Sequence, residues 1–434
     1  MKRYTSWGRY PQVEQQAMPL QWRDNVLPVT EGTLLPYGQG RSYGDCCLNE
    51  DGIVLDTVGL NRFIVFDKQR GVLRCESGVT LHEILQLIIP HGWFLPVTPG
   101  TRYVSIGGAV ANDVHGKNHH RAGTFGCHIN AFELLRSDGQ RYLCSKQENP
   151  ELFRATIAGL GLTGLITWVE IRLSPIRSTY IQGESIRFST LDEFLDLSAS
   201  SDQDWEYTVS WIDCAAKGRN LGRGIFYRGN HADSGGLHTS KLNSSTLQLG
   251  FDAPQKILNK YTVSMFNSLL YHKHLPAKKS FNKDVIPFFY PLDKIGHWNR
   301  LYGKNGFLQF QCVLPMTDAN NRLKEMLATI SRSGSGSFLA VLKVFGDKIS
   351  PGLMSFPRQG VTLALDFPLR GKATLALMDE LEQQVTTAGG AIYPAKDACM
   401  KPSSFTKYFP NYSEFEKLVD PLFKSNLWRR VHEY

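Results

Sequence analysis

Two stretches of this chain combine glycine with hydrogen-bonding side chains more densely than packing alone requires. One is Gly38-Gln-Gly-Arg-Ser-Tyr-Gly-Asp45. The other runs from Pro99 to Gly123 and holds five glycines, three alanines and three histidines in twenty-five positions. Glycine has no Cβ to hold a guest away from the backbone N–H groups and tolerates unusual φ/ψ, so such runs can close on a bulky anion. A cofactor diphosphate suits them, because two separate loops can grip one extended diphosphate from both sides.

Two other motifs invite chemistry and are set aside. His115 and His119 could share a helical face, with His120 beside them, but no carboxylate at ligand-like spacing completes a metal set and Gly116 opposes a regular helix. Three histidines beside Lys117 and Asn118 instead suit an electropositive, hydrogen-bonding cofactor site. Gly159-x-Gly-x-x-Gly164 matches the dinucleotide fingerprint in letters, yet a helix pattern precedes it and a strand pattern follows, the reverse of a phosphate-binding βα turn. It reads as a tight helix-to-strand corner.

The elements that must position these loops are legible from periodicity. Gly32–Tyr37, Ile53–Asp56 and Gly71–Glu76 read as strands, and 78–90 as a helix with Thr80 as N-cap and Pro90 as stop. Ile129–Arg136 and Gln140–Cys144 form a hairpin about Ser137-Asp-Gly139, Pro150–Ile157 a helix and Leu165–Leu173 a strand. Pro175 marks a domain boundary. Beyond it, strand patterns at 206–213, 306–314, 337–345 and 361–367 alternate with helices such as 320–333 and 372–388, which suits an antiparallel sheet with helices on one face. Residues 230–245 read as a mobile loop. Residues 256–290, with the basic cluster His272–Ser280, read as a surface helix and loop, or else as a lid or membrane-facing patch that admits a lipid.

Totals narrow the function classes. At 434 residues the chain has room for two or three domains, and 42% hydrophobic with 20% charged residues is globular composition. A net charge of +8 favours anionic ligands or an anionic membrane surface. No basic run with interleaved aromatics points to nucleic acid. The eight cysteines include no CxxC pair, which fits a reducing compartment rather than a zinc ribbon or disulfide framework. The basic start lacks an apolar core and no apolar run reaches membrane-spanning length, so the expected location is cytoplasmic, with peripheral contact at the inner face of the membrane left open.

Taken together, Gly38–Asp45, Thr98-Pro-Gly-Thr-Arg102 with Gly107-Gly-Ala109, His115-Gly-Lys-Asn-His-His120, the 159–164 corner and Tyr393-Pro-Ala-Lys-Asp397 resemble the vanillyl-alcohol-oxidase-type FAD flavoproteins over nearly the whole chain. Within that family the likeness is to members that oxidise polyprenyl-phosphate-linked ribose as the flavoprotein half of a two-enzyme epimerase. The resemblance implies an α+β fold. A two-part FAD-binding domain of the PCMH type would comprise residues 1–174 completed by 391–434, and a substrate domain, 175–390, would carry an antiparallel sheet flanked by helices.

The resemblance also implies site roles. Backbone groups of Gly38, Gly40, Arg41, Ser42, Tyr43, Gly100, Thr101, Gly107 and Gly108 would hold the FAD diphosphate. Asn112, His115, Gly116, Lys117 and His119 would lie along the flavin and ribityl chain, and the strand after Gly164 would support the adenine side. Tyr393 and Lys396 complete the cofactor set, with Lys396 near the flavin pyrimidine end, where positive charge stabilises the reduced ring. Covalent members carry a flavin-bonded histidine in the first loop; here no histidine occurs between residues 31 and 50, so FAD is expected to be non-covalent.

On the substrate side, Gln309 and Gln311 share one strand face and can bond sugar hydroxyls. Lys343 sits inside an apolar strand and, unless its stem snorkels to solvent, needs a partner that a substrate phosphate would supply. Trp211 and Tyr290 are candidates to wall the sugar. Ala364 stands where the related pattern has cysteine. The implied reaction takes a secondary hydroxyl of the lipid-linked sugar to a ketone, with Lys396 and Tyr43 both open as catalytic base. A short-chain NAD(P)H-dependent reductase would then act on the product. The alternative is an FAD oxidase of a free sugar, alditol or aldonolactone that uses oxygen.

Overall fold

The computed structural model describes residues 3–239, 247–254 and 257–432. Near the start, β1 (Gln16–Pro19), β2 (Leu34–Tyr37) and β3 (Ile53–Asp56) form a parallel sheet in the order β1-β3-β2. β2 ends at Tyr37, so the first glycine loop leaves the C-terminal edge of a buried strand.

An antiparallel five-stranded sheet follows. It is built from β4 (Phe63–Asp67), β5 (Val72–Glu76), β7 (Ile129–Leu135), β8 (Arg141–Ser145) and β9 (Leu165–Arg172), in the order β4-β5-β9-β7-β8. Between β5 and β7 lie α1 (Leu81–Ile88), the two-residue strand β6 (Trp93–Phe94), α2 (Ile106–Ala111) and α3 (His119–Ala122). The expected cap on α1 is present as a reciprocal pair: Glu83 N–H donates to Thr80 Oγ1 at 3.2 Å, and Thr80 N–H donates to Glu83 Oε2 at 2.8 Å. α4 (Pro150–Thr156) leads into the 159–164 corner and then β9, helix before strand as its composition implied.

After the two-residue β10 (Ser174–Pro175), which pairs with β6, the chain builds an eight-stranded antiparallel sheet. Its strands are β11 (Tyr180–Phe188), β12 (Tyr207–Ile212), β13 (Gly224–His231), β15 (Lys278–Asp284), β17 (Phe307–Leu314), β18 (Ala340–Phe345), β19 (Gly360–Pro368) and β20 (Ala391–Ile392). The order is β15-β11-β13-β12-β18-β19-β17-β20. A short parallel pair, β14 (Leu247–Gln248) with β16 (Ile295–Gly296), lies outside it.

Period-2 alternation gives the large sheet two different faces. Leu308, Phe310 and Cys312 of β17, Leu363, Leu365 and Phe367 of β19, and Leu342 of β18 join one apolar core with α5 (Leu191–Ser201), α8 (Ala319–Ser333) and α9 (Lys372–Thr387). The residues between them, including Gln309, Gln311, Lys343, Thr362, Ala364 and Asp366, face the other way. Helices on one side of an antiparallel sheet are what the pattern beyond Pro175 led us to expect.

Two expectations change. Residues 260–273 are helical, as read (α6, Lys260–Lys273), and α7 (Val285–Phe289) follows, but Lys278–Ser280 of the basic cluster opens strand β15 rather than a loop. Pairing explains it: Ser280 is in register with Glu184 of β11, and Lys278 Nζ lies 2.7 Å from the Glu184 carboxylate. Of the expected loop 230–245, Asn230 and His231 complete β13, 232–239 are irregular, and 240–245 lie outside the described residues. The tail, with α10 (Pro402–Tyr408), α11 (Tyr412–Glu416) and α12 (Asn426–His432), returns to the first sheet, where Lys424 N–H donates to Leu34 O at 3.0 Å.

Candidate active site

A cavity of about 490 Å³ lies between the two glycine-rich stretches and the polar face of the eight-stranded sheet. Every cofactor-site residue named from sequence lines it except His119, and so do Gln309, Gln311 and Lys343. Trp211, Tyr290 and His119 stand behind the lining. Trp211 shares a strand face with the lining residue Val209 but sits one pleat further on, where its Nε1–H donates to Phe338 O at 3.2 Å. Tyr290 is fully buried, with its hydroxyl 2.6 Å from that of Thr98. His119 packs its ring 4.4 Å from that of Phe345. His120 faces Trp205 O, so the three histidines share no common centre, and among the described residues no cluster of side chains could hold a metal ion.

The loop wall is made of backbone. The N–H groups of Gly38 through Ser42, and of Gly100 and Thr101, have no hydrogen-bond partner among the described residues, whereas Tyr43 N–H donates to Ala395 O at 3.0 Å. Gly40 adopts φ +61°, the left-handed region that glycine accepts without strain. Gly107 and Gly108 differ from the expectation that they would hold the diphosphate through their backbone. Their amides are engaged internally, by Ser77 O at 2.8 Å and Ser105 Oγ at 3.3 Å. Gly107 supplies space: a Cβ there would lie 2.8 Å from that of Ser77.

The C-terminal segment is clamped onto the first loop. Arg430 Nη2 bonds Asp45 at 2.8 Å and Asp397 at 2.9 Å, which fixes the 393–397 turn against the 38–45 loop. That clamp sets Lys396 Nζ 3.8 Å above the Tyr43 ring. Burial draws Lys396 down to about 8, with Asp366 opposing the shift. Tyr43 is pushed well above its ordinary value, first by burial and then by the charge of Asp366.

The sheet wall is made of side chains in cross-strand register. Gln309 is paired with Asp366 and donates its amide N–H to that carboxylate. Asp366, lifted by burial to about 7, has the Tyr302 hydroxyl 3.4 Å away. Gln311 opposes Ala364, which places the alanine in the cavity wall. Lys343 Nζ donates to Gly116 O at 2.6 Å and lies 2.9 Å from His115 Nδ1, and the Gln311 amide lies 2.9 Å from His115 Nε2. Burial and the Lys343 charge hold His115 well below the usual imidazole range. The ring is therefore neutral. Burial, then Lys117, holds Lys343 well below an ordinary lysine, and burial brings Lys117 to about 8.

Sequence reasoning missed Asp366, Thr362 and Trp7 at this site and missed Arg430 beneath it. Asp366 had a signal, a carboxylate inside the apolar run Leu363-Ala-Leu-Asp-Phe367, the same anomaly that singled out Lys343. Trp7 had none; it lines the cavity because the N-terminal segment crosses the loop, with the Arg41 guanidinium 4.0 Å from its ring.

Several buried atoms at this wall lack a partner: Arg41 Nε, Asn112 Oδ1 and Ser77 Oγ all border the cavity unsatisfied within the chain. A donor and acceptors so placed, with seven unpaired loop amides, fit a large polar cofactor that bears a diphosphate. Comparison with known proteins identifies it. Residues 28–145 match the FAD binding domain family. Decaprenylphosphoryl-β-D-ribose oxidase of Mycolicibacterium smegmatis is 36% identical across 99% of this chain and 97% of that protein. This chain belongs to the decaprenylphosphoryl-β-D-ribose oxidase family. An uncharacterised Streptomyces coelicolor protein from the mprA 5′ region is 31% identical over 81% of the chain and its own full length. L-gulonolactone oxidase of Mus musculus is 28% identical over only 37% of the chain and 35% of that protein. The chain is thus an FAD-binding oxidoreductase of this family, with the vanillyl-alcohol-oxidase-type fold that its glycine motifs implied.

Proposed function

We propose that this protein oxidises a secondary hydroxyl of a polyprenyl-phosphate-linked pentose, the ribose 2′-OH to a 2′-ketone. The observation that carries the reading is the convergence of Gln309, Gln311, Lys343 and Asp366 on one sheet face across from Lys396. It is joined to full-length similarity to a decaprenylphosphoryl-β-D-ribose oxidase.

FAD, when bound, supplies the acceptor for the carbinol hydride. The amides of Gly38–Ser42, Gly100 and Thr101 hold its diphosphate, and Asn112, His115, Gly116 and Lys117 lie along the rest. Gly164 and Leu165 border the far end. Lys396 takes the hydroxyl proton. A lysine brought to about 8 has an appreciable neutral fraction near neutral pH, whereas a phenol pushed well above 10 has almost no phenolate. Tyr43 therefore positions, with its ring under the Lys396 amine and its hydroxyl as donor. Gln309 and Gln311 orient the sugar through amide hydrogen bonds. Lys343 receives the phosphate, whose charge restores the ammonium form that burial disfavours. The ketone product goes to a short-chain NAD(P)H-dependent reductase, and the net result is epimerisation.

No described helix is long and apolar enough to cross a membrane. A lipid-linked substrate then requires the protein to meet the membrane peripherally, at its cytoplasmic face. The test is anaerobic mixing of the flavin-loaded protein with polyprenyl-phosphoryl ribose, which should bleach the flavin absorbance. Bleaching by free sugars, alditols or aldonolactones alone would assign the protein to the oxygen-using oxidases instead.

A further inference from the structure

Exposed apolar side chains are concentrated in one place. Among the described residues, eight of the seventeen exposed large hydrophobics lie between 247 and 275. Helix α6 shows why this is not leftover core. Its inward residues Val263, Asn267 and Tyr271 already anchor it: Asn267 Nδ2 donates to Asp213 Oδ1 and to Ser337 O, both at 3.1 Å, and the Tyr271 ring lies 4.6 Å from the Arg223 guanidinium. Tyr261, Met265 and Leu269 recur every four residues on the opposite face, 73%, 61% and 64% exposed, with Leu275 just beyond at 80%. The fold does not use them.

Apart from Glu184, which is held in ion pairs with Lys278 and Arg228, the charges around this face are positive. α6 contains no Asp or Glu and begins and ends in exposed lysines, Lys260 and Lys273; Lys278 and Lys279 follow. The acidic residues nearest in sequence are engaged. Asp252 pairs with Arg9 at 2.7 Å, and Asp284 is buried, capping α7. The patch also adjoins the cavity. Leu258 packs against the cluster of Trp298, Tyr302 and Phe307, of which Trp298 lines the cavity, and the Phe266 ring lies 6.0 Å from that of Phe338, next to the lining residue Leu339.

We infer that the exposed face of α6, with Leu275 and the flanking lysines, is a docking surface for an anionic lipid membrane that presents the cavity mouth to a lipid-linked substrate. The substrate clause rests on the function proposed above; the surface itself does not. A helix with an apolar outer face and lysines at its rim lies in the plane of a bilayer interface, buries its side chains at the acyl boundary and gains electrostatic attraction from acidic headgroups. A protein partner of the same footprint would meet Lys260, Lys273 and Lys279, none of them in an ion pair among the described residues, beside Lys278, which is paired with Glu184.

Co-sedimentation of the full-length, flavin-loaded protein with vesicles tests it. Vesicles of equal parts phosphatidylcholine and phosphatidylglycerol should pellet the protein, and phosphatidylcholine alone much less. Tyr261→Ser, Met265→Ser and Leu269→Ser combined should weaken partition roughly tenfold or more. Lys273→Glu with Lys279→Glu should remove the phosphatidylglycerol preference, roughly fivefold per lysine. The serine variant should keep its flavin and be bleached at the wild-type rate by a water-soluble, short-prenyl phosphoryl ribose, which shows that the fold and site are intact. Wild-type protein that stays in the supernatant, or a serine variant that pellets like wild type, overturns the inference. So does a wild-type dimer lost in the serine variant without any vesicle binding, which would give the face to a second copy. Vesicle binding without bleaching by any prenyl sugar supports the surface and removes only the substrate.

Discussion

The two walls of the cavity recognise their guests by different means. The loop wall offers backbone amides, seven of them without a partner among the described residues. The sheet wall, with Lys396 and His115 facing it from the C-terminal turn and the second glycine-rich stretch, offers side chains whose protonation the fold has shifted: Lys396 and Asp366 near neutrality, Lys343 and His115 below their usual ranges. The first can hold any diphosphate that fits. The second distinguishes substrates, because a buried lysine or carboxylate responds to charge and hydroxyl position. One wall is chemistry by absence of a Cβ, the other chemistry by placement in a low-dielectric face.

The comparison is broken most severely at Lys396. Lys396→Met should slow substrate-driven flavin bleaching by about 10²–10⁴-fold, the ordinary span for loss of a general base, while FAD content is unchanged. Stopped-flow absorbance measures both, and a wild-type rate would remove Lys396 from catalysis. Next is Lys343→Met, which should weaken binding of the phosphorylated substrate by about 10–100-fold, as expected for a charge-assisted contact. Titration with the dephosphorylated sugar should show no comparable loss.

The loop wall is sharpened by two glycines. Gly40→Ala places a Cβ against the Tyr37 hydroxyl at a left-handed φ, so it should cost about 1–2 kcal/mol and about tenfold in FAD affinity. A Cβ at Gly100 meets nothing within 4 Å. Gly100→Ala should therefore leave the melting temperature of the apoprotein unchanged and still weaken FAD binding, which flavin fluorescence titration reads. Unchanged FAD affinity in Gly100→Ala would take that amide out of the diphosphate site.

The smallest effects fall on Asp366. Its carboxylate raises the pKa of Lys396, so Asp366→Asn should move the rising limb of the bleaching rate to lower pH, by roughly half to one unit. Asp366 also binds its proton more tightly folded, at about 7, than unfolded. Its contribution to stability is full at acid pH and is lost as pH rises towards about 7, so chemical denaturation of Asp366→Asn should be flatter across that window.

Much of the loop wall was legible because its determinants are local. Glycine spacing, the Thr80 cap and the order of helix and strand about Gly159–Gly164 are read from neighbouring residues and reappear in the structure. The sheet wall was legible only in part. Gln309 and Gln311 were found by alternation and Lys343 by its apolar surroundings, yet Trp211 and Tyr290 stand behind the lining, since alternation gives a face and not a position along it. β11 and β13 escaped notice for a related reason: Gly183 and polar residues interrupt Tyr180–Phe188, and Gly229 interrupts Gly224–His231. Pairing with neighbours, rather than propensity, holds these strands.

From sequence alone follow the pair of glycine-rich loops suited to a diphosphate, which the family resemblance assigns to a flavin, the alternation that divides each sheet strand into an apolar and a polar half, and the absence of a histidine in the first loop. These depend on residue types within a few positions of each other. Only the tertiary structure decided which titratable groups meet. His115 and Lys343 are 228 residues apart, and Asp45 and Arg430 are 385 apart. Their contacts exist because strand register and a returning tail bring them together, and burial then sets their charge. Neither register between distant strands nor desolvation is a property of any short stretch of chain.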